Sequence, residues 1–287
     1  YITDFSKAHE DAGFDAVLIG HSSSSADGFA IAQHVAYQTE RIKILLAHRP
    51  GFAAPTQAAR RVATLDNLIN GRLLLHIITG GVDADQQRDG DFLGHDERYQ
   101  RTDEYLQVMR QVWTAQGPFD FEGKYYQVRR ASSEVTAAQS PHVPLWFGGV
   151  SEAAKPIGAK HCGTYALFGE SLGLVSDLMR ELDGLAAGHN RSLRYNLSFR
   201  PIIADTEDAA WKKARQILHN VETTTKRSTK APEAETAKRL SRLIEEGEVH
   251  DERLWVPIAA AAQGTGNSTA LVGTPEQVAE ALSLIHI

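Results

Sequence analysis

The sequence predicts an α/β barrel, a parallel sheet whose strands are joined by returning helices, and three observations carry that prediction. Short apolar runs rich in β-formers alternate with amphipathic helical segments along the chain. Those runs are apolar at successive positions, as strands buried on both faces require. Small and polar residues collect where the runs end, at Gly20-His21-Ser22 with Ser25, Ala47-His48-Arg49, His76 with Thr79, Gly149-Val150-Ser151, Glu170-Ser171 and Arg200. In an α/β barrel the carboxyl ends of the strands are where chemistry is placed. A chain of 287 residues with 42% hydrophobic residues is long enough to bury one such core.

Taken in order, Tyr1 leads into a helical pattern (Ile2, Phe5, Ala8, Ala12) that Gly13 stops before a strand from Ala16 to Ile19. A helix is expected over 27–38 and a strand from Ile42 to Ala47. The next helix, 55–69, has Pro in its first turn and ends at Asn70-Gly71, and a strand runs from Leu73 to Ile78. A helix over 97–115, a hairpin around Glu122-Gly123, and strands at Leu145–Phe147 and Thr164–Phe168 follow, with helices over 151–160 and 171–188. One strand is expected from Tyr195 to Ile203 and a helix over 206–227. Residues 81–144 and 222–265 interrupt the alternation and read as insertions in a single domain spanning 1–287.

Bulk chemistry narrows the function. A net charge of −6 without a Lys/Arg block argues against nucleic acid as the main partner. No apolar run is long enough to span a membrane, and no signal peptide opens the chain, so a cytoplasmic location and no membrane partner are expected. The lone cysteine, Cys162, excludes an internal disulfide and reads as a small buried thiol. Two sequons, at Asn196 and Asn267, are chance matches in such a chain.

Several strand-end residues have two readings each. The turn Gly148-Gly149-Val150-Ser151 joins strand to helix, so its N–H groups and the Ser151 hydroxyl suit a phosphate, or Ser151 is an ordinary N-cap. Arg200 suits an anionic substrate, or pairs with Asp205 or Glu207. His76 lines a pocket or is a packed strand histidine, and His95 lines it from a loop or is solvated. His48 faces a bound ring while Arg49 braces a neighbouring loop, and Glu170 organises a backbone loop or acts as an acid.

Six stretches carry a resemblance over nearly the whole chain. They are Arg49-Pro50-Gly51 with Pro55-Thr56-Gln57-Ala58-Ala59-Arg60; Ala63-Thr64-Leu65-Asp66 with Asn70-Gly71-Arg72; and His76 to Gly81 with Asp89 to Tyr99. The others are Phe121 to Tyr126, Pro144 to Ser151, and Thr269 to Gly273. In order and spacing they resemble the bacterial luciferase-like, flavin-dependent monooxygenases, in the branch holding the alkanesulfonate, long-chain alkane and nitrilotriacetate enzymes. The resemblance implies a (β/α)8 TIM barrel. That fold has a strand before the first helix here and another after the helix at Pro275 to Leu282; this chain shows neither, so its first and last barrel strands are expected to be lacking, with Ala16–Ile19 and Tyr195–Ile203 left as edges.

By the same resemblance the cofactor is FMN, used as FMNH2 with O2 as co-substrate through a C4a-(hydro)peroxyflavin. Reduced flavin comes from a separate NAD(P)H:flavin reductase, and the substrate is a small organic molecule, an organosulfur compound being one candidate, handled by a homo-oligomer. The flavin phosphate is expected at Gly149, Val150 and Ser151 with Tyr99 and Arg98, and the ring near His76, Thr79 and His95. Arg200, Ser25 and His48 are the candidates for the oxygen and substrate side. Where alkanesulfonate enzymes carry a cysteine, an Arg-x-His pair and a lid arginine, this chain has Ser25, Ser198-Phe199-Arg200 and Ala262-Gln263, so sulfonate is not implied. Two alternatives stand: a deazaflavin (F420)-dependent hydride-transfer oxidoreductase, and a flavin-binding protein without turnover.

Overall fold

The computed structural model describes residues 1–224, 235–262 and 269–286. Among them, the barrel-type sheet has six parallel strands in the order β1-β2-β3-β6-β7-β8. These are β1 (Ala16–Ile19), β2 (Lys43–His48), β3 (Leu73–Ile77), β6 (Leu145–Gly148), β7 (Thr164–Phe168) and β8 (Arg194–Ser198). The first and last in that order are the two strands expected as edges. The fold is therefore α/β and TIM-barrel-like, and among the described residues this sheet has no strand beyond β1 and β8. Contacts divide the chain into two compact units, Tyr1–Gly148 with Glu152–Tyr165, and Gly149–Ser151 with Ala166–Ile287.

In the first unit the helices α1 (Ile2–Asp11), α2 (Gly28–Gln38), α3 (Pro55–Leu68), α4 (Asp83–Arg88), α5 (His95–Thr114) and α6 (Ala154–His161) accompany the strands, and β4 (Phe119–Glu122) pairs with β5 (Gln127–Ala131) as the expected hairpin. Ile44, Leu46, Leu73, Leu75, Ile77 and Phe147 are wholly buried on the helix-facing side of the sheet. Each such side chain contributes roughly 1.5–3 kcal/mol over an exposed one. The amino ends of these strands are tied by polar groups with full sets of partners. The Glu10 carboxylate accepts the N–H groups of Glu40, Arg41 and Ile42 at 2.6–3.0 Å, which holds its pKa down at about 2. Arg72 donates to the carbonyls of Ala36 (2.6 Å), Ile42 (3.1 Å) and Ile69 (3.2 Å) and to Thr39 Oγ1 (3.2 Å). Wholly buried Asp66 accepts Gln139 through its side-chain amide at 2.8 Å and its backbone N–H at 3.1 Å.

In the second unit α7 (Leu172–Ala187) leads to β8, and the chain then breaks at Phe199. The single strand expected from Tyr195 to Ile203 is two: β9 (Arg200–Ile203) leaves for another sheet, ordered β10-β11-β12-β9 with β10 (Val249–His250), β11 (Leu254–Trp255) and β12 (Ala270–Gly273). Parallel pairing of β9 with β12 and a cluster of Ile202, Trp255, Ile258, Ala270 and Val272 under α8 (Glu207–Thr224) and α10 (Pro257–Ala261) build its core. Two more helices, α9 (Glu235–Glu246) and α11 (Pro275–His286), complete the unit. Gln263, Asn267 and Ser268 lie outside the described residues.

Candidate functional site

The site is built from β3 outward. Residues paired across a parallel ladder share a face, and successive residues alternate. Ile77 pairs with Phe147, and Phe147 faces the helices: its ring lies 6.4 Å from Tyr99 and 5.6 Å from Tyr165. The preceding pair, His76 with Trp146, therefore stands on the opposite, helix-free face. His76 Nδ1 is buried and has no hydrogen-bond partner, and burial lowers its pKa to about 4. The imidazole is thus a neutral polar group on an apolar wall, with one nitrogen left for something else. Trp146 was not singled out from sequence; its alternation with the buried Phe147 was the available signal.

At the ends of β1 and β2 two more histidines are kept neutral. Burial, then the positive charge of Arg49, lowers His21, whose Nε2 has no partner. His48, 7% exposed, is lowered to about 4 by burial and then by His21 and Arg61. Its Nε2 lies 2.8 Å from the hydroxyl of Tyr105 on α5. Arg49 braces a neighbouring loop, as expected, through Asp85 on α4 at 2.7 Å. Ser25 is exposed and its hydroxyl closes a local turn on the carbonyl of Ser22 at 2.9 Å.

The segment after β3 is tightly organised. Thr79 is buried and its hydroxyl lies 3.3 Å from that of Thr102 on α5. Gly80 takes φ +94°, and a Cβ there would overlap the Gln86 side chain. Arg98, 1% exposed, donates to the carbonyl of Leu93 at 2.6 Å, the carboxylate of Asp83 at 2.8 Å and the carbonyl of Gly80 at 3.3 Å. Its guanidinium therefore ties the Gly80–Leu93 loop to α5. His95 lies not in a loop but in the first turn of α5, where Glu97 accepts the Gly94 N–H at 3.2 Å; its ring is 5.0 Å from that of Tyr99.

In the second unit Gly149 has φ +134° and the Ser151 hydroxyl is buried without a partner. Ser151 lies outside α6, which begins at Ala154, so it is not that helix's N-cap. A strand-to-helix turn with an orphaned hydroxyl fits an anionic group such as a flavin phosphate. Glu170, 6% exposed, is held by Arg239 of α9 through Nε at 2.8 Å and a close second contact from the other arm of the guanidinium, in place of the loop backbone expected for it. Arg200 is exposed at the start of β9, while Glu207 receives Arg253 at 2.9 Å. Tyr105, Asp85 and Arg239 were missed in the sequence because their partners lie far along the chain. No group of His, Cys, Asp and Glu among the described residues could hold a metal ion, and no described helix is long and apolar enough to cross a membrane.

Comparison with solved structures shows the same fold. A riboflavin lyase, solved with modified FMN and its substrate riboflavin, superposes with TM-score 0.81 at 19% identity over 99% of this chain and 76% of that one. A long-chain alkane monooxygenase gives 0.77 at 18% identity over 99% and 76%. The coenzyme F420-dependent tetrahydromethanopterin reductase of Methanopyrus kandleri gives 0.70 at 17% identity over 99% and 86%. The luciferase-like monooxygenase family model matches residues 1–286, and the chain belongs to that family.

Proposed function

We propose that this chain is an FMNH2-dependent monooxygenase of the two-component type, supplied with reduced flavin by a separate NAD(P)H:flavin reductase in the cytoplasm. The observation that carries this reading, in a chain of this family, is the concentration of buried, unpartnered polar atoms at the strand ends, with His21 Nε2, His76 Nδ1 and Ser151 Oγ foremost. Such atoms cost about 1–3 kcal/mol each when left unpaired, and a bound ligand would offset that cost. When bound, the flavin supplies the electrons that activate O2. The Gly149–Ser151 turn would hold its phosphate through backbone N–H groups and the Ser151 hydroxyl, and His76 and Trp146 are the residues assigned to its ring. Arg98 holds the loop after β3 and leaves anion binding to the turn. The sequence resemblance favours the alkanesulfonate, alkane and nitrilotriacetate branch, with a small organic substrate, and a homo-oligomer as the working form.

Arg200 is assigned to substrate. Arg200→Ala should lower turnover and leave FMNH2 affinity within about twofold, the pattern of a lost contact with substrate and not with flavin; a loss confined to flavin binding would reassign it. Anaerobic titration with FMNH2 followed by O2 uptake tests the whole reading. The structural likeness to an F420-dependent reductase supports a second one, hydride transfer with a deazaflavin. Reduction of F420 without O2 uptake would establish that alternative.

A further inference from the structure

Residues 80–94, between β3 and α5, are fastened to the rest of the first unit by side chains. The segment is bounded by Gly80-Gly81 and Gly94, with φ +94° at Gly80 and +84° at Gly90. Its backbone bonds close on itself: Asp85 and Gln86 donate to the carbonyl of Val82, and Asp89 and Asp91 to that of Gln86. Outward, Arg49 at the end of β2 meets Asp85 at 2.7 Å and Asp89 at 3.9 Å. On α5, Arg98 meets Asp83 at 2.8 Å and Arg101 meets Asp91 at 2.5 Å, and Arg101 also donates to the carbonyl of Pro50 at 3.2 Å. Ser23, after β1, donates its hydroxyl to the Asp85 carbonyl and its N–H to the Asp85 carboxylate. The segment therefore reaches across the carboxyl ends of all three strands.

That fastening leaves polar groups dry. Gln86 is 1% exposed, and neither the nitrogen nor the oxygen of its amide has a partner. The Nε atoms of Arg49, Arg98 and Arg101 are buried without one as well. These are five of the eleven such side-chain atoms among the described residues, so unmet polar demand is concentrated on one short segment and its anchors. The Gln86 amide is pressed against Gly80, where even a Cβ would overlap it, so no ligand can be seated between them while the segment is closed. Closure is thus favoured by ion pairs and opposed by atoms that water would satisfy on opening.

We propose that residues 80–94 form a charge-latched strap that opens and closes as a unit over the carboxyl ends of β1, β2 and β3, with Asp85 as the latch and the dry Gln86 amide favouring release. The glycines at its two ends absorb the backbone rotation. Opening is the step that admits a ligand to this end of the sheet, and that part of the proposal rests on the flavin monooxygenase reading. The latch itself belongs to the protein alone.

Hydrogen exchange of the full chain, followed by mass spectrometry, reads the strap in peptides covering 80–94 and the sheet in peptides covering β2 and β3. Asp85→Asn keeps the side chain's shape and removes its charge, and should speed strap exchange about tenfold; Gln86→Leu removes the unpaired amide and should slow it about tenfold. Exchange in β2 and β3 should stay within about twofold in both, the mark of a local opening. Raising salt about tenfold should speed strap exchange in the wild type too, because Asp83 and Asp89 are partly exposed and their pairs are screened. FMNH2 association and dissociation should quicken together in Asp85→Asn and slow together in Gln86→Leu, with affinity within about twofold, since access changes and the site does not. Exchange that moves in the same direction in both variants, in neither, or equally in the strap and the sheet would overturn the strap. Opposite shifts in exchange with unmoved FMNH2 rates would overturn its role in entry. A wild type that binds no FMNH2 while the exchange pattern holds would instead overturn the flavin reading.

Discussion

At the amino ends of β2 and β3, Glu10, Arg72 and Asp66 each meet several partners, and the backbone groups they serve are satisfied by them. At the carboxyl ends of β1, β2 and β3, His21 and His76 each keep a buried nitrogen without a partner, and Arg49 keeps its Nε so. Both ends lie in one unit and belong to the same strands, so the difference is not one of burial or sequence composition. One end uses polar groups to lock the chain, and the other holds them in reserve. Acid, mutation and ligand should therefore act on the two ends in distinguishable ways.

The largest effect expected is on acid stability. His48 and His76 have folded pKa values of about 4, against 6.5 for the ordinary group. The unfolded chain therefore takes up protons between pH 6.5 and 4 that the folded chain refuses. Their contribution is complete above the unfolded value and is lost as pH falls to 4, at about 3 kcal/mol each. Glu10, with its carboxyl held at about 2 against 4.5, acts in a lower window: its contribution is complete above 4.5 and fades towards 2. Urea midpoints measured from pH 7 to 3 should fall in these two stages, and His76→Leu should roughly halve the upper slope while Glu10→Gln leaves that slope alone. A single transition governed by the carboxylate window would erase the distinction.

Next in size, Glu10→Ala should lower unfolding stability at pH 7 by about 2–3 kcal/mol, because charge-assisted bonds to three backbone donors disappear together. Flavin affinity should hold. An unaltered urea midpoint would mean that water replaces the carboxylate. The opposite sign is expected at the other end: His76→Leu removes an unsatisfied nitrogen and should raise stability by about 1 kcal/mol while weakening FMNH2 binding. Loss of stability together with intact binding would identify His76 as an ordinary packed residue.

How far the sequence discloses these ends differs for the same physical reason. Strands β2, β3, β6 and β7 are readable because burial leaves nearly unbroken apolar runs, and β1, whose Leu18 is exposed, because Gly13 stops the helix just before it; Asn70-Gly71 marks the stop before β3. The break at Phe199 is hidden, since Tyr195 to Ile203 reads as one β-rich stretch. Pro201 was the available clue: it cannot donate to a ladder, and β9 is indeed the edge strand of its sheet. The polar residues at the strand ends are visible as types, but their roles depend on partners contributed from elsewhere. Arg98 reads as a phosphate ligand until Asp83 and two carbonyls are placed around it, and His48 as a residue facing a bound ring until Tyr105 arrives.

The smallest effect is expected for the phosphate turn. Ser151→Ala, at a hydroxyl without a partner, should weaken FMNH2 binding by about 1 kcal/mol, one hydrogen bond's worth, with little change in urea midpoint. Equilibrium titration followed by absorbance would detect this, and full affinity in the Ser151 variant would remove the turn from the site.

The break at Phe199 also sets an order of assembly. Ala16 pairs with Lys43, only 27 positions on, whereas Arg200 must wait for Ala270, 70 positions later. Closing the longer loop costs more entropy and delays the contact. During synthesis the first three strands can pair while later residues are still being added, but β9 stays unpaired until β12 has left the ribosome. Pulse-labelled hydrogen exchange during refolding should show protection of β2 and β3 amides before those of β9 and β12, and simultaneous protection would argue that the chain folds as one cooperative event.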